Sequence, residues 1–346
     1  MRVEKRHLAD LEMVYAVREI RLSGQSHILA ASERRGGACL LFSPPDWRTS
    51  VAWEGPGGGM SLSPVPGREG TLLAIQKFFP VFQSEEAGLY LARAGADPHS
   101  HWTLTRVADL PFAHRLEVVE VGGQPHLVAA TLCAGKSFQD DWSQPGAVYI
   151  GPVAIEAEGS WPLARVLTGI TRNHGMQVTA LADEGVVLVS GDEGLFSLGI
   201  PRDPGGEWRS RKLIGRPISD MAAADLNADG QTEIVTIEPF HGDRLVVWKR
   251  KGEDWQVLHE APLDFGHVVW AGTLLGGPAI LAGSRGGDRG LVMLAVTSTD
   301  PFSVKRTLLD GGIGPTQVAV IRQGSTDLIV SANHGVGEVA LYKLAR

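Results

Sequence analysis

The 346-residue chain is poor in the features that mark a disulfide scaffold, a basic nucleic-acid binder or a membrane protein. Its two cysteines, Cys39 and Cys133, lie far apart and form no CxxC pair, which excludes a disulfide framework and a thiolate metal site. Lys and Arg number 32 against 39 Asp and Glu, the net charge is −7, and there is no basic run. Nucleic acid and anionic membrane are poor partners for such a surface. No apolar run approaches the roughly 18 residues of a membrane helix, and Met1 to Asp10 carry charges where a signal peptide needs its apolar stretch. The expected compartment is therefore the cytoplasm. Segments with helical period and length are missing as well. So are GxGxxG before a helix, GxxxxGK[ST] and GxSxG, which leaves nucleotide binding and serine-elbow hydrolysis without support.

The chain does have 43 Gly and 20 Pro, hence many tight turns, and 43% hydrophobic residues, enough for a sizeable core. It also has a repeat. A bulky residue opens a short alternating segment at Trp47, Trp102, Trp161, Trp208, Trp255 and Phe302, with intervals of 55, 59, 47, 47 and 47. A further step of 47 runs past the last residue and, wrapped around, lands on Val3 in RVEKRHLADL. Each unit also has a β-forming run (HILAAS, TLLAIQ, HLVAAT, VVLVSG, EIVTIE, AILAGS, LIVSAN), then a polar turn and another short strand. Four short strands per unit on a closed ring of seven predict an all-β fold. The fold is a single-domain seven-bladed β-propeller over residues 1–346, its last blade completed by the N-terminal strand. One blade cannot bury both of its faces alone, so blades pack on one another until the ring closes. The recurring tryptophan is expected to fill the outer gap between neighbouring blades.

With strands A to D counted from the axis outward, the D-to-A connections and the B-to-C loops open on one face around the central channel. His114, His174, Asp220 and His267 fall at the starts of A strands, at intervals of 60, 46 and 47. Glu33, Arg34, Arg35, Lys77, Lys136, Asp192, His241, Arg285 and His334 fall in B-to-C loops. Both sets are expected to ring one channel mouth. Neutral imidazoles with a carboxylate can hold Zn or Mn, which makes His114, His174, His241, His267 and His334 candidate ligands. The same groups without metal can act as base and acid, with His174, His241, His267, His334 and Asp220 as the catalytic candidates. Lys77, Arg35, Arg285 and His114 are the candidate substrate-binding groups, the cations drawing an anionic group such as a uronate carboxylate.

The segment Asp225-Leu-Asn227-Ala-Asp229-Gly230-Gln-Thr-Glu233 matches the short calcium loop DxNxDGxxE, in which alternate oxygens turn inward and glycine permits the reversal. It resembles the FG-GAP or VCBS-type repeat of integrin-like seven-bladed propellers, which implies a structural calcium held by Asp225, Asn227, Asp229 and Glu233 between strands A and B. The resemblance covers blade five. ALADEGVV of blade four and IRQGSTDLI of blade seven lack the full set of carboxylates. RNHGM, EPFHGDR and ANHGVGE are similar to His-containing loops of propeller-type sugar dehydratases and oligosaccharide lyases, notably the aldos-2-ulose dehydratase family. That similarity implies a carbon–oxygen lyase acting on a small sugar or oligosaccharide. No segment corresponds to the cupin portion of that family. Two readings stand beside it, a non-catalytic glycan- or protein-binding propeller and a metal-dependent hydrolase or lactonase.

Overall fold

The structure is a computed structural model that describes residues 1–80, 82–323 and 326–346, so Val81, Gly324 and Ser325 lie outside the described residues, the last two within the IRQGSTDLI segment. Seven four-stranded antiparallel sheets stand around one axis. Their innermost strands are Val14–Leu22, Ser61–Pro64, Ala113–Val121, Met176–Leu181, Asp220–Ala224, Gly266–Leu274 and Val318–Gln323. Six blades are built in chain order. The seventh has the order Arg2–Asp10, Glu338–Ala345, Thr326–Asn333, Val318–Gln323, so the first strand of the chain is the outermost strand of the last blade. Lys5 pairs with Tyr342 and Asp10 with Glu338 across that seam. No helix among the described residues is long and apolar enough to cross a membrane.

The marker residues introduce the outermost strands, as the repeat predicts. Trp47, Trp102, Trp161 and Trp208 are buried. The Trp102 amide donates to Ala52 O of the preceding blade at 2.7 Å, and the Trp161 amide to Val107 O at 2.6 Å. The two long intervals arise in blades two and three, where the loops between strands B and C run from 77 to 87 and from 132 to 145. Insertions at these positions lengthen the mouth loops and leave the blades unchanged.

Neighbouring innermost strands are not laddered to one another, so side chains stitch them. Gln317 Oε1 accepts from the Val17 amide at 3.3 Å, Ser63 Oγ from Val118 at 2.9 Å, and Gln177 Oε1 from Ala223 at 2.8 Å. Arg18 of blade one grips Glu117 of blade three through two bonds of 3.0 and 2.8 Å, passing the four-residue inner strand of blade two. Apolar side chains of the strands behind them fill the space between blades.

The closing seam carries a charged lock. Lys5 Nζ lies 2.8 Å from both Asp310, at the end of blade six, and Glu338. Tyr342 donates to Asp310 at 2.8 Å, and Asn333 bridges Glu338 and Tyr342. Burial alone would raise both carboxyls, but the bonds from Lys5, with those from Tyr342 and Asn333, hold them below the usual range. A carboxyl whose folded-state pKa is depressed stabilises the fold above its ordinary pKa, and that contribution is lost as pH falls through the folded value. The Lys5→Met variant should therefore unfold more easily at neutral pH by about 1 kcal/mol or less, since Lys5 is partly exposed. The deficit should shrink below about pH 4. Urea unfolding of both proteins across pH checks this, and a deficit that does not change with pH contradicts it.

Candidate functional site

The residues at the mouth are aimed by three backbone devices. In blades one, three and six the ladder between the two innermost strands skips one residue, and the skipped residues are Tyr15, His114 and His267. A bulge of this kind bends the strand and redirects one side chain, here towards the axis. Two residues earlier, Met13, Phe112 and Phe265 have φ of 51°, 58° and 53°, and Arg172 has 53° ahead of His174. Left-handed backbone costs a non-glycine residue roughly 1–2 kcal/mol. Its return is a hydrogen bond, since Met13, Phe112 and Phe265 accept from the amides of Glu33, Leu132 and Arg285 at 2.9, 3.0 and 2.9 Å. Gly58, with φ 68°, accepts from Phe78 at 3.2 Å in the same way. Each such pair spans 20 residues and ties the entry of a blade to its own B-to-C loop.

These devices gather Tyr15, His114, His174, His241 and His267 in a cavity of about 400 Å³ at the mouth, with Met60, Phe78, Phe82 and Phe265 in its walls. Tyr15, His114, His174 and His267 are almost fully buried. The Tyr15 hydroxyl lies 3.3 Å from His114 Nε2 and 3.2 Å from His174 Nε2. His174 Nε2 is 3.4 Å from His241 Nε2, and His267 Nδ1 is 3.1 Å from the Thr316 carbonyl. A carbonyl only accepts, so His267 carries its proton on Nδ1 and turns the Nε2 lone pair elsewhere. Below this layer a larger channel of about 990 Å³ opens to the opposite face, bordered by Arg115, Asp220 and His267. The imidazoles thus form a septum across the axis.

Burial keeps these imidazoles neutral. It drives His114 and His174 well below the ordinary value with help from Arg115, and His267 with help from His241 and Arg285. Burial, then Arg285 and Arg115, brings His241 down to about 3. Burial likewise raises Tyr15 and pushes Asp220 up to about 6 against the pull of Arg115. Arg115 Nη2 lies 3.3 Å from His174 Nδ1, and Asp220 Oδ2 is 3.9 Å from the same nitrogen.

The other expected residues sort differently. His334 stands off the axis, bonded to Glu33 at 2.8 Å and to Arg285 at 3.1 Å, and of these Glu33 and Arg285 line the cavity. Lys77 does not reach the cavity, because it pairs with Glu86 at 3.3 Å. Arg35 also misses it, with its guanidinium 3.9 Å over Phe79. Arg172 takes Asp192 at 2.7 Å. Lys136 lies 3.1 Å over Trp142, whose ring meets Phe82 and Phe240 at 5.7 and 6.3 Å and roofs part of the mouth.

Sequence reasoning missed Tyr15, Arg115 and this aromatic roof. Tyr15 had a signal, since it occupies the second position of its inner strand exactly as His114 and His267 do in theirs. Arg115 had none, because an arginine inside an apolar strand reads as an outward side chain.

In the blade-five loop the residues expected to hold calcium bond to one another and to a lysine. Asn227 turns its amide NH2 to Glu233 at 2.7 Å, and its oxygen takes the Asp229 amide at 2.9 Å. Asp225 accepts from Gly230 at 2.9 Å, and the Lys249 ammonium sits 2.7 Å from Asp229. The loop is closed by its own hydrogen bonds and a lysine. Among the described residues the one group of three or more ligating side chains within reach of a common ion is His174, His241 and His267.

No protein-family model and no curated protein sequence matches the chain. Solved structures resemble it in fold. The WD40 β-propeller domain of Doa1 aligns at a TM-score of 0.61 with 14% identity, over 99% of this chain and 97% of that one. The Dos1 propeller aligns at 0.59 with 10% identity, over 95% and 77%. A Bacteroides fragilis protein assigned as a 6-phosphogluconolactonase aligns at 0.57 with 12% identity, over 95% and 93%. The chain is a seven-bladed β-propeller.

If the blade-five loop needs no ion, excess calcium should leave the melting temperature unchanged within error, whereas Lys249→Met, which strands Asp229, should lower it slightly. Differential scanning calorimetry with calcium and with chelator checks both. A calcium-dependent rise would overturn this reading of the loop.

Proposed function

We propose that the mouth cavity is the active site of a carbon–oxygen lyase that eliminates a leaving group from a small sugar or oligosaccharide bearing a carboxylate. The observation that carries the reading is the buried Tyr15–His114 pair, 3.3 Å apart in a cavity that also presents a cation, Arg285. The likeness of RNHGM, EPFHGDR and ANHGVGE to the loops of propeller-type dehydratases and lyases supports it.

Elimination beside a carboxylate needs a base for the acidic C–H, an electrophile for the developing enolate and an acid for the departing oxygen. His114, kept neutral by its burial, takes the proton from carbon. The electron pair of that C–H bond becomes the new C=C bond as the C–O bond breaks, and the departing oxygen takes the Tyr15 proton. Transfer from His114 to Tyr15 across their hydrogen bond then restores both groups. Arg285, tethered by His334 and Glu33, holds the carboxylate, and the His174, His241 and His267 face is set against the enolate oxygen.

The aromatic roof of Phe82, Trp142 and Phe240 favours a second reading, a glycan-binding propeller that stacks a sugar ring without altering it.

A panel of uronate-containing mono- and disaccharides, followed by the ultraviolet absorbance of the conjugated double bond, separates the two. The lyase reading expects product from at least one compound and a loss of roughly 100- to 10,000-fold in kcat for Tyr15→Phe, the range of general acid–base catalysis. Circular dichroism should be unchanged in that variant. Calorimetric binding with no product across the panel would leave only the binding propeller.

A further inference from the structure

The three imidazoles of His174, His241 and His267 come from blades four, five and six, and their ligating atoms all lie within 4.8 Å of one another. Donors about 2.0–2.1 Å from a tetrahedral zinc stand roughly 3.4 Å apart, and the His174 and His241 Nε2 atoms are 3.4 Å apart. The His174 ring stands nearly perpendicular to both partners, at 86° to His241 and 85° to His267, so the three are not a simple stack.

A second observation points to an ion independently of these spacings. His267 commits Nδ1–H to the Thr316 carbonyl, the bond that commonly fixes a ligating histidine with its Nε2 lone pair forward. Behind His174, the half-buried Asp220 carboxylate lies 3.9 Å from Nδ1, where it can orient the ring in the same sense. Arg115 and Arg285 oppose a cation here, and Asp220 and Glu33 are the charges that offset them. Loading also requires His174 Nδ1 to carry a proton, so Arg115, now 3.3 Å from that atom, must give way to Asp220.

We propose that His174, His241 and His267 form a three-histidine site for one divalent transition metal, open on the side of the mouth cavity, with Asp220 as the positioning residue behind His174. Three neutral imidazoles favour zinc over manganese, which prefers oxygen donors. The ligand set is narrower than the five histidines that the sequence suggests, because among the described residues only these three bring ligating nitrogens within reach of one ion, and His334 stands off the axis. The site stands on geometry and does not depend on the lyase reading, although its ligand atom His174 Nε2 also lies 3.2 Å from the Tyr15 hydroxyl that reading uses as acid.

The test is zinc binding by the whole, tag-free protein after chelator treatment and dialysis, measured by calorimetry, with cobalt absorption as a second probe of coordination. Wild type should bind one zinc per chain, and His241→Ala should bind it at least 100-fold more weakly. Asp220→Asn should lose roughly 10- to 100-fold, the usual effect of an outer-shell partner. The exposed His101→Ala should match wild type. His267→Gln is the replacement if circular dichroism shows His241→Ala to be misfolded. Wild type that takes up no stoichiometric zinc, or a His241 or His267 variant that binds as wild type does, overturns the site. Because no substrate is involved, failure here is separate from failure of the lyase reading.

Discussion

The antiparallel pairing of Arg2–Asp10 with Glu338–Ala345 is the contact on which the rest of the molecule depends. A blade is stable only when both faces are covered, and blades one and seven gain their last neighbours through this seam. Closure also fixes a single axis. Without it, the inner strands would not converge, and residues more than 200 positions apart, such as Tyr15 and His267, could not meet edge to face with ring centroids 5.5 Å apart. The lock of Lys5 on Asp310 and Glu338 sits at this seam because that is where a sheet edge would otherwise be exposed.

Convergence alone would bring backbone to the axis. Side chains arrive there because bulges at Tyr15, His114 and His267 redirect them. The left-handed residues before them pair entry turn with mouth loop at a fixed spacing of 20 residues. Met13, Phe112, Arg172 and Phe265 all adopt this unfavourable backbone without being glycine. These four stand beside the layer of buried imidazoles. The opposite channel is lined by stitching pairs such as Arg18–Glu117 that serve the ring itself.

Much of this was legible in the sequence, and the parts that were not share a cause. The interval of 47 and its wrap onto Val3 specify the number of blades and the closing strand, because each blade must repeat the same covering of its neighbour. His114 and His267 could be placed at inner-strand starts, and His174 just ahead of one, for the same reason. Residues that follow the blade period are thus readable. Arg115, Phe82 and Trp142 are not, since they arise from one bulge and two loop insertions that the period does not control. Lys77 and Arg35 were expected at the mouth from their loops, yet an ion pair with Glu86 and the Phe79 ring draw them away. In the DxNxDGxxE loop the spacing is present, but Lys249, contributed by the third strand of the blade, occupies Asp229.

The central claim is that the imidazoles of successive blades meet at one point on the axis, and a crystal structure of the tag-free protein soaked in zinc, with anomalous data at the zinc edge, tests it most directly. The account predicts one anomalous peak bounded by His174, His241 and His267, with Tyr15 and His114 in contact beside it. Rings turned away from one another, with no peak between them, would contradict it.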